Sequence, residues 1–137
     1  MSKLKKILDT SVKSPRADIA LLIIRVGLGC LMFRHGWSKL TRFEEIGHTF
    51  SDPLGVGSQL SLVLTVFAEA GCSVLLILGL FTRLALVPLI ITMCVVVFVV
   101  HGAHPFARQE LGLLFLICFT GLMFTGPGRY AADRLLK

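Results

Sequence analysis

Four stretches of this chain are each apolar for about the 20 residues that a helix needs to cross a hydrocarbon layer about 30 Å thick, and that length sets the fold class. In lipid every backbone amide has to be hydrogen bonded within its own segment, so such stretches can only be helices or barrel strands, and runs of this length are helices. The first runs from about Ile19 to Leu40, the second from Leu60 to Phe81, the third from Leu84 to His101 and the fourth from about 106 to 125. The sequence therefore predicts an all-α integral membrane protein: a single four-helix bundle spanning 1–137, with a basic N-terminal segment (1–18) and a short tail (126–137) after Gly126-Pro127-Gly128. Hydrophobic residues make up 55% of the chain and charged ones 16%, too few for a soluble domain of this size to cover its surface.

Only Thr82 and Arg83 separate the second and third stretches, which predicts an antiparallel pair joined by a very tight turn. The longest connection, Thr41 to Gln59, places Phe43, Ile46 and Phe50 three and four residues apart ahead of Asp52-Pro53-Leu54-Gly55, the pattern of a short amphipathic helix on the membrane surface followed by a turn. Pro88 falls in the opening turns of the third helix, where a membrane helix tolerates it.

The net charge of +6 would suggest nucleic acid in a soluble protein, but here the basic residues flank apolar stretches, so lipid headgroups are the expected partner. With the N-terminus inside, Lys3, Lys5, Lys6, Lys13, Arg16, Arg83, Arg129, Arg134 and Lys137 fall on the inner side and Lys39, Arg42 and Arg108 on the outer. That bias predicts that both termini are cytoplasmic. No small-residue cleavage site follows Phe33, so the first stretch reads as a retained helix and not a signal peptide. Cys30, Cys72, Cys94 and Cys118 lie in four different apolar stretches without ligand spacing and read as small buried side chains.

Ionisable groups at membrane depth are costly against lipid and are expected to face inward and find partners. Glu69 lies near the middle of the second stretch and Arg25 about one turn from the middle of the first, which predicts a buried Arg25–Glu69 ion pair. On a helical wheel Arg25, Gly29, Met32, Gly36 and Lys39 share one side of the first helix, with His35 at its margin and Arg34 opposite, snorkelling outward. The two glycines on that side permit close approach of a neighbour or a ligand. Because His35, Lys39, His101, His104 and Glu110 all belong near the outer face, the sequence predicts an outward-facing pocket with Arg25 and Glu69 as its floor and His35, Lys39, His101 and Glu110 at its mouth. Histidines and a tryptophan at helix ends are also ordinary interfacial residues, above all His104 ahead of Pro105. His101, His104 and Glu110 span a helix end and a loop without a metal-binding spacing, and no metal site is expected.

The run Glu69, Gly71 and Leu75 to Arg83 (LLILGLFTR), the ending His35-Gly36-Trp37-Ser38-Lys39-Leu40 and the tail Gly126-Pro127-Gly128-Arg129-Tyr130 with Asp133-Arg134-Leu135-Leu136 resemble the DoxX family. The resemblance extends from about Ile19 to the end of the chain; the family tail often carries serine where Ala131 follows Tyr130. It implies a four-helix inner-membrane protein. Some members of the family are subunits of a thiosulfate:quinone oxidoreductase, and others are linked with thiol-stress systems. The expectation is a small subunit of a redox system that binds quinone or a small oxidisable molecule in the outward pocket. The chain has no flavin, haem or iron–sulfur motif of its own, so redox catalysis would require a protein partner. The alternative is a non-catalytic scaffold or chaperone-like protein that recognises another membrane protein. A transporter would need a homo-oligomer, since four helices without internal repeats offer little for alternating access.

Overall fold

The computed structural model describes residues 14–136. Lys3, Lys5, Lys6, Lys13 and Lys137, counted above on the inner side, lie outside the described residues. The described residues form helices and no strand. Helix α1 is Pro15–Thr41 and α2 is a single turn, Phe43–Ile46. Helices α3 (Ser58–Leu78), α4 (Thr82–Val100) and α5 (Phe106–Thr125) follow, and the chain ends in a 3₁₀ turn, Ala132–Leu136. By length and apolarity α3, α4 and α5 can each cross a membrane. The longest helix, α1, carries Arg25, Arg34 and Lys39 within its length.

Helix α1 starts four residues before the apolar stretch because Ser14 caps it, its hydroxyl accepting from the Ala17 N–H at 3.2 Å, with Pro15 in the first turn. The α3–α4 turn lies at Gly79–Phe81, three residues earlier than Thr82-Arg83. Leu75 to Leu80 close a Schellman motif: the Leu80 N–H bonds to the Leu75 carbonyl at 2.9 Å and the Gly79 N–H to Leu76 at 3.1 Å, with Gly79 left-handed at φ 70°. Phe81 is left-handed as well, at φ 48°, which completes the reversal. Where the sequence predicts a short amphipathic helix reaching to Phe50, the α1–α3 connection has the single turn α2, with Phe43 and Ile46 half-buried and Glu44 and Glu45 exposed.

Helix α1 lies antiparallel along α3, α3 packs on α4 through its second half, and α4 packs along α5. The buried face of α1 is Arg25, Gly29, Met32 and Gly36, while Arg34 on the other side is exposed. A shared core of Met32, Leu76, Leu86, Leu89, Phe115 and Phe119 joins all four long helices. Between apolar helices in lipid the burial of apolar surface gives little net drive, so close packing has to hold them together. The closest approach is at Gly36, where a Cβ atom would stand 2.5 Å from the Ala70 nitrogen and 2.6 Å from the Glu69 carbonyl carbon. One face of α1 therefore lies on the backbone of α3, and at Gly29 a Cβ would meet Ile77 and the Ser73 carbonyl in the same way.

Of the four cysteines, all free, Cys72 is buried and Cys94 and Cys118 are half-buried. Cys30 is exposed on α1, contrary to the expectation that all four are buried: it sits one residue beyond Gly29, off the face that meets α3.

Replacing Gly36 by alanine forces backbone apart, and overpacking of this kind costs about 1–3 kcal/mol. Gly27, on the open side of α1, has nothing within 4 Å of a would-be Cβ. In thermal unfolding of the detergent-solubilised protein, Gly36→Ala is expected to lower the midpoint by several degrees and Gly27→Ala to leave it unchanged or slightly raised.

Candidate functional site

The antiparallel register places the two charges of the expected ion pair at different levels. With Gly36 seated on Ala70, Lys39 meets Glu69, and Arg25, fourteen residues and about 21 Å back along α1, comes to the level of Gly79 at the far end of α3. The Arg25–Glu69 pair is therefore not formed. Matching the midpoints of the two stretches assumed helices side by side at equal depth, whereas the glycine contacts stagger them.

Arg25 is 1% exposed and donates to the carbonyls of Pro127 at 3.1 Å and Tyr130 at 2.7 Å. It is the centre of a clasp that draws the segment after α5 across the end of the helices. Asp133 completes it: its carboxylate accepts the N–H groups of Phe81 at 2.5 Å and Thr82 at 3.0 Å, capping the otherwise uncapped start of α4 from 51 residues away. The Asp133 N–H bonds back to the Gly79 carbonyl at 2.9 Å, and Ala131 lies directly against Gly79. The Arg129 N–H is held by Asp18 at 3.1 Å, and Arg83 donates to the last carbonyls of α5, Met123 and Phe124. Partial burial disfavours the charge on Asp133, but the two backbone N–H groups and nearby Arg25 outweigh it, so its carboxyl is held below the usual aspartate range.

At the opposite end lies a cavity of about 560 Å³, within the range of small-molecule sites. Its walls come from all four long helices: Met32, His35 and Lys39 of α1, Leu64, Ala68 and Glu69 of α3, Pro88, Thr92 and Val96 of α4, and Leu111, Gly112 and Phe115 of α5. The connection before α3 contributes Phe50, Ser51, Pro53 and Leu54. That segment is pinned by Asp52, which accepts from the N–H groups of Val56 and Gly57 and from the Ser61 hydroxyl at 3.0, 2.8 and 2.9 Å. These bonds, that from Gly57 foremost, depress the Asp52 carboxyl below its ordinary value.

Most of the lining is apolar; its charged side chains are Arg108 and an ion pair, Lys39 Nζ to Glu69 Oε2 at 2.5 Å. The Glu69 side chain is 5% exposed and that of Lys39 27%, so the pair reaches from the protein interior to the cavity. Two of the wall helices are π-helical where they border the cavity, α3 over Phe67–Cys72 and α4 over Val96–Val100, a distortion that recurs at functional sites. The Thr65 and Thr92 hydroxyls donate to the carbonyls of Ser61 and Pro88 in their own helices, both at 2.8 Å, which leaves their oxygens to the cavity as acceptors. Lys39, with one of its three N–H groups on Glu69, retains donors for a bound group.

His35 and His101 line this cavity, as does Arg108; Glu110 does not, being exposed on α5 outside it. Arg25 belongs to the clasp and forms no floor. His35 meets Phe115 edge-on with ring centres 6.2 Å apart, and the Nδ1 atoms of His101 and His104 are 2.9 Å apart in the turn before α5, where the Gln109 amide caps the His101 carbonyl. Sequence reasoning put Lys39 at the mouth; its pairing with Glu69, and the part played by Thr65, Thr92 and Arg108, came only with the structure. The available signal was that Gly36, three residues before Lys39, marks the contact face of α1.

A family model described as DoxX matches residues 20–102, more than half of the chain. The chain belongs to the DoxX family. Among curated proteins this DoxX protein is 35% identical over 120 residues to an uncharacterized protein of Haemophilus influenzae, covering 82% of this chain and 87% of that one. It is also 28% identical over 135 residues to an uncharacterized membrane protein of Mycobacterium tuberculosis, covering 86% and 82% respectively. No solved structure matches it significantly. The match ends at 102, so the DoxX model takes in α1, α3 and α4, including Lys39 and Glu69, and leaves out α5 and the clasp segment.

Removing one partner of a pair buried to this degree leaves the other uncompensated at a cost of about 3 kcal/mol. Lys39→Met and Glu69→Gln are each expected to destabilise the solubilised protein, and the double variant to lose less than the sum, as read by a double-mutant cycle. At the clasp, the depressed carboxyl of Asp133 contributes stability that is complete above the ordinary aspartate value of about 3.9 and is lost as pH falls below it. Unfolding midpoints measured from pH 7 down to pH 3 should show that decline, and Asp133→Asn should start lower at pH 7 and decline less.

Proposed function

We propose that the cavity binds the ring of a quinone or a similarly small oxidisable molecule, and that the protein is a small membrane subunit of a redox system whose electron carrier lies on a partner protein. The observation that carries this reading is the Lys39–Glu69 pair set into the wall of a mostly apolar cavity. A flat apolar ring with carbonyl oxygens is complementary to such a site: the walls take the ring, and the spare Lys39 N–H groups donate to an oxygen. Reduction of a quinone consumes protons, and Glu69 and His35 are titratable groups at the cavity that could exchange them with the ring oxygens.

In the same reading α1 is the fourth membrane span, and the clasp end faces the cytoplasm of a bacterial inner membrane. Arg16, Arg83, Arg129 and Arg134 gather at that end, against Lys39, Arg42 and Arg108 at the cavity end, which supports N- and C-termini inside and a cavity near the outer face.

Trp37, the only tryptophan, is exposed on α1 within a turn of Lys39 and outside the cavity lining, so binding is read from the saturable part of its quenching. Titration of the purified protein in detergent with a benzoquinone carrying a short alkyl tail should quench it saturably. Lys39→Met should weaken that binding at least tenfold, while Glu110→Gln should change it less than twofold. Non-saturable quenching, the same in wild type and Lys39→Met, would leave the scaffold reading in its place.

A further inference from the structure

Besides its loop end, where exposed His35 and Arg108 line it, the cavity reaches the surface at the side of the bundle. Above it the segment Phe50–Leu54 forms a roof held by the three hydrogen bonds to Asp52. At the side, α3 and α4 touch through the second half of α3 and then diverge: the first half, Ser58–Val66, leans on α1 and makes no comparable contact with α4 or α5. The residues at the edges of that divergence line the cavity and face outward at once. Leu64 and Phe67 on α3 are 48% and 58% exposed and Ile91 on α4 is 56% exposed. All are apolar, and they lie on two of the three helices that are long and apolar enough to cross the bilayer, where the surface outside them meets hydrocarbon. A side opening with apolar edges offers no path for a hydrated solute but admits a molecule already dissolved in the membrane.

We infer that the ligand is a membrane-resident amphiphile that enters between α3 and α4, with its polar head at the Lys39–Glu69 pair and its hydrocarbon tail left in the cleft between Leu64–Phe67 and Ile91–Val95. Placement of the head rests on the function proposed above; the side entry stands on the geometry of the cleft. Pro88 and Thr92 suit the inner part of this path, since the proline offers no N–H and the Thr92 hydroxyl is already bonded to the Pro88 carbonyl, so a passing tail meets no unmatched donor.

The test uses the full chain reconstituted in phosphatidylcholine vesicles and two photoreactive probes with a diazirine midway along a ten-carbon tail, one headed by benzoquinone and the other by a simple alcohol. Crosslinks are mapped by peptide mass spectrometry. The expected result is that the quinone probe labels the peptides bearing Leu64–Phe67 and Ile91–Val95 at least fivefold more than the outward face of α5 around Ile117. Excess unlabelled quinone should remove that labelling, and Ile91→Phe, which narrows the cleft, should reduce it severalfold while tailless quinone still quenches Trp37. Labelling of the cleft by both probes alike, with no competition by quinone, supports side entry and overturns the quinone reading. Labelling that concentrates on Phe50–Leu54, or that is even over every outward helix face, overturns side entry, whatever becomes of the quinone reading.

Discussion

The close approach of α1 to α3 at Gly36 governs the rest of the arrangement. Because the Ala70 nitrogen and the Glu69 carbonyl carbon occupy the space a side chain would need, the two helices can pack this tightly at only one axial register. That register carries Lys39 to Glu69 at one end and Arg25 to Gly79 at the other. In a medium where apolar surfaces gain little by meeting each other, backbone-level packing is the term that selects a register, and the charges are satisfied within the register it selects.

The two ends solve the problem of polar groups in an apolar setting differently. At the clasp, Arg25 and Asp133 satisfy backbone: a guanidinium takes two carbonyls of the terminal segment, and a carboxylate takes two N–H groups at the start of α4. The clasp is tied together by bonds within the protein, although Arg25 Nε and Thr82 Oγ1 are buried there without a partner. At the cavity, one ion pair serves a space several side chains wide, with lysine donors and threonine oxygens left free. Lysine donors and threonine acceptors beside a mostly apolar cavity support the binding role proposed above.

The family match covers α1, α3 and α4, so the elements that carry the ion pair and the cleft belong to the DoxX pattern, while α5 and the clasp segment lie beyond it. α5 is not incidental to the site, since Leu111, Gly112 and Phe115 complete the cavity wall.

Read alone, the sequence determined the all-helical class, the membrane-crossing character of α3, α4 and α5, and the buried face of α1, because segment length, apolarity and a 3.6-residue period are local properties that need no knowledge of neighbours. It also grouped Arg25, Glu69, His35, Lys39, His101 and Glu110 as one candidate site, since each is a polar group in or beside an apolar stretch; Arg25 and Glu110 lie outside the cavity that the others line. It did not determine who pairs with whom. Arg25 and Glu69 were matched by depth, and depth along a helix is not a contact; the partner of each charge depends on the stagger between helices, a quantity that arises only when two glycine-bearing surfaces meet. The backbone acceptors of Arg25 and the capping of α4 by Asp133 were invisible for the same reason, since carbonyls and N–H groups have no signature in a sequence and come together here across 51 to 105 residues. Only the tertiary structure could show the cleft, because it is a space between two helices and not a property of either.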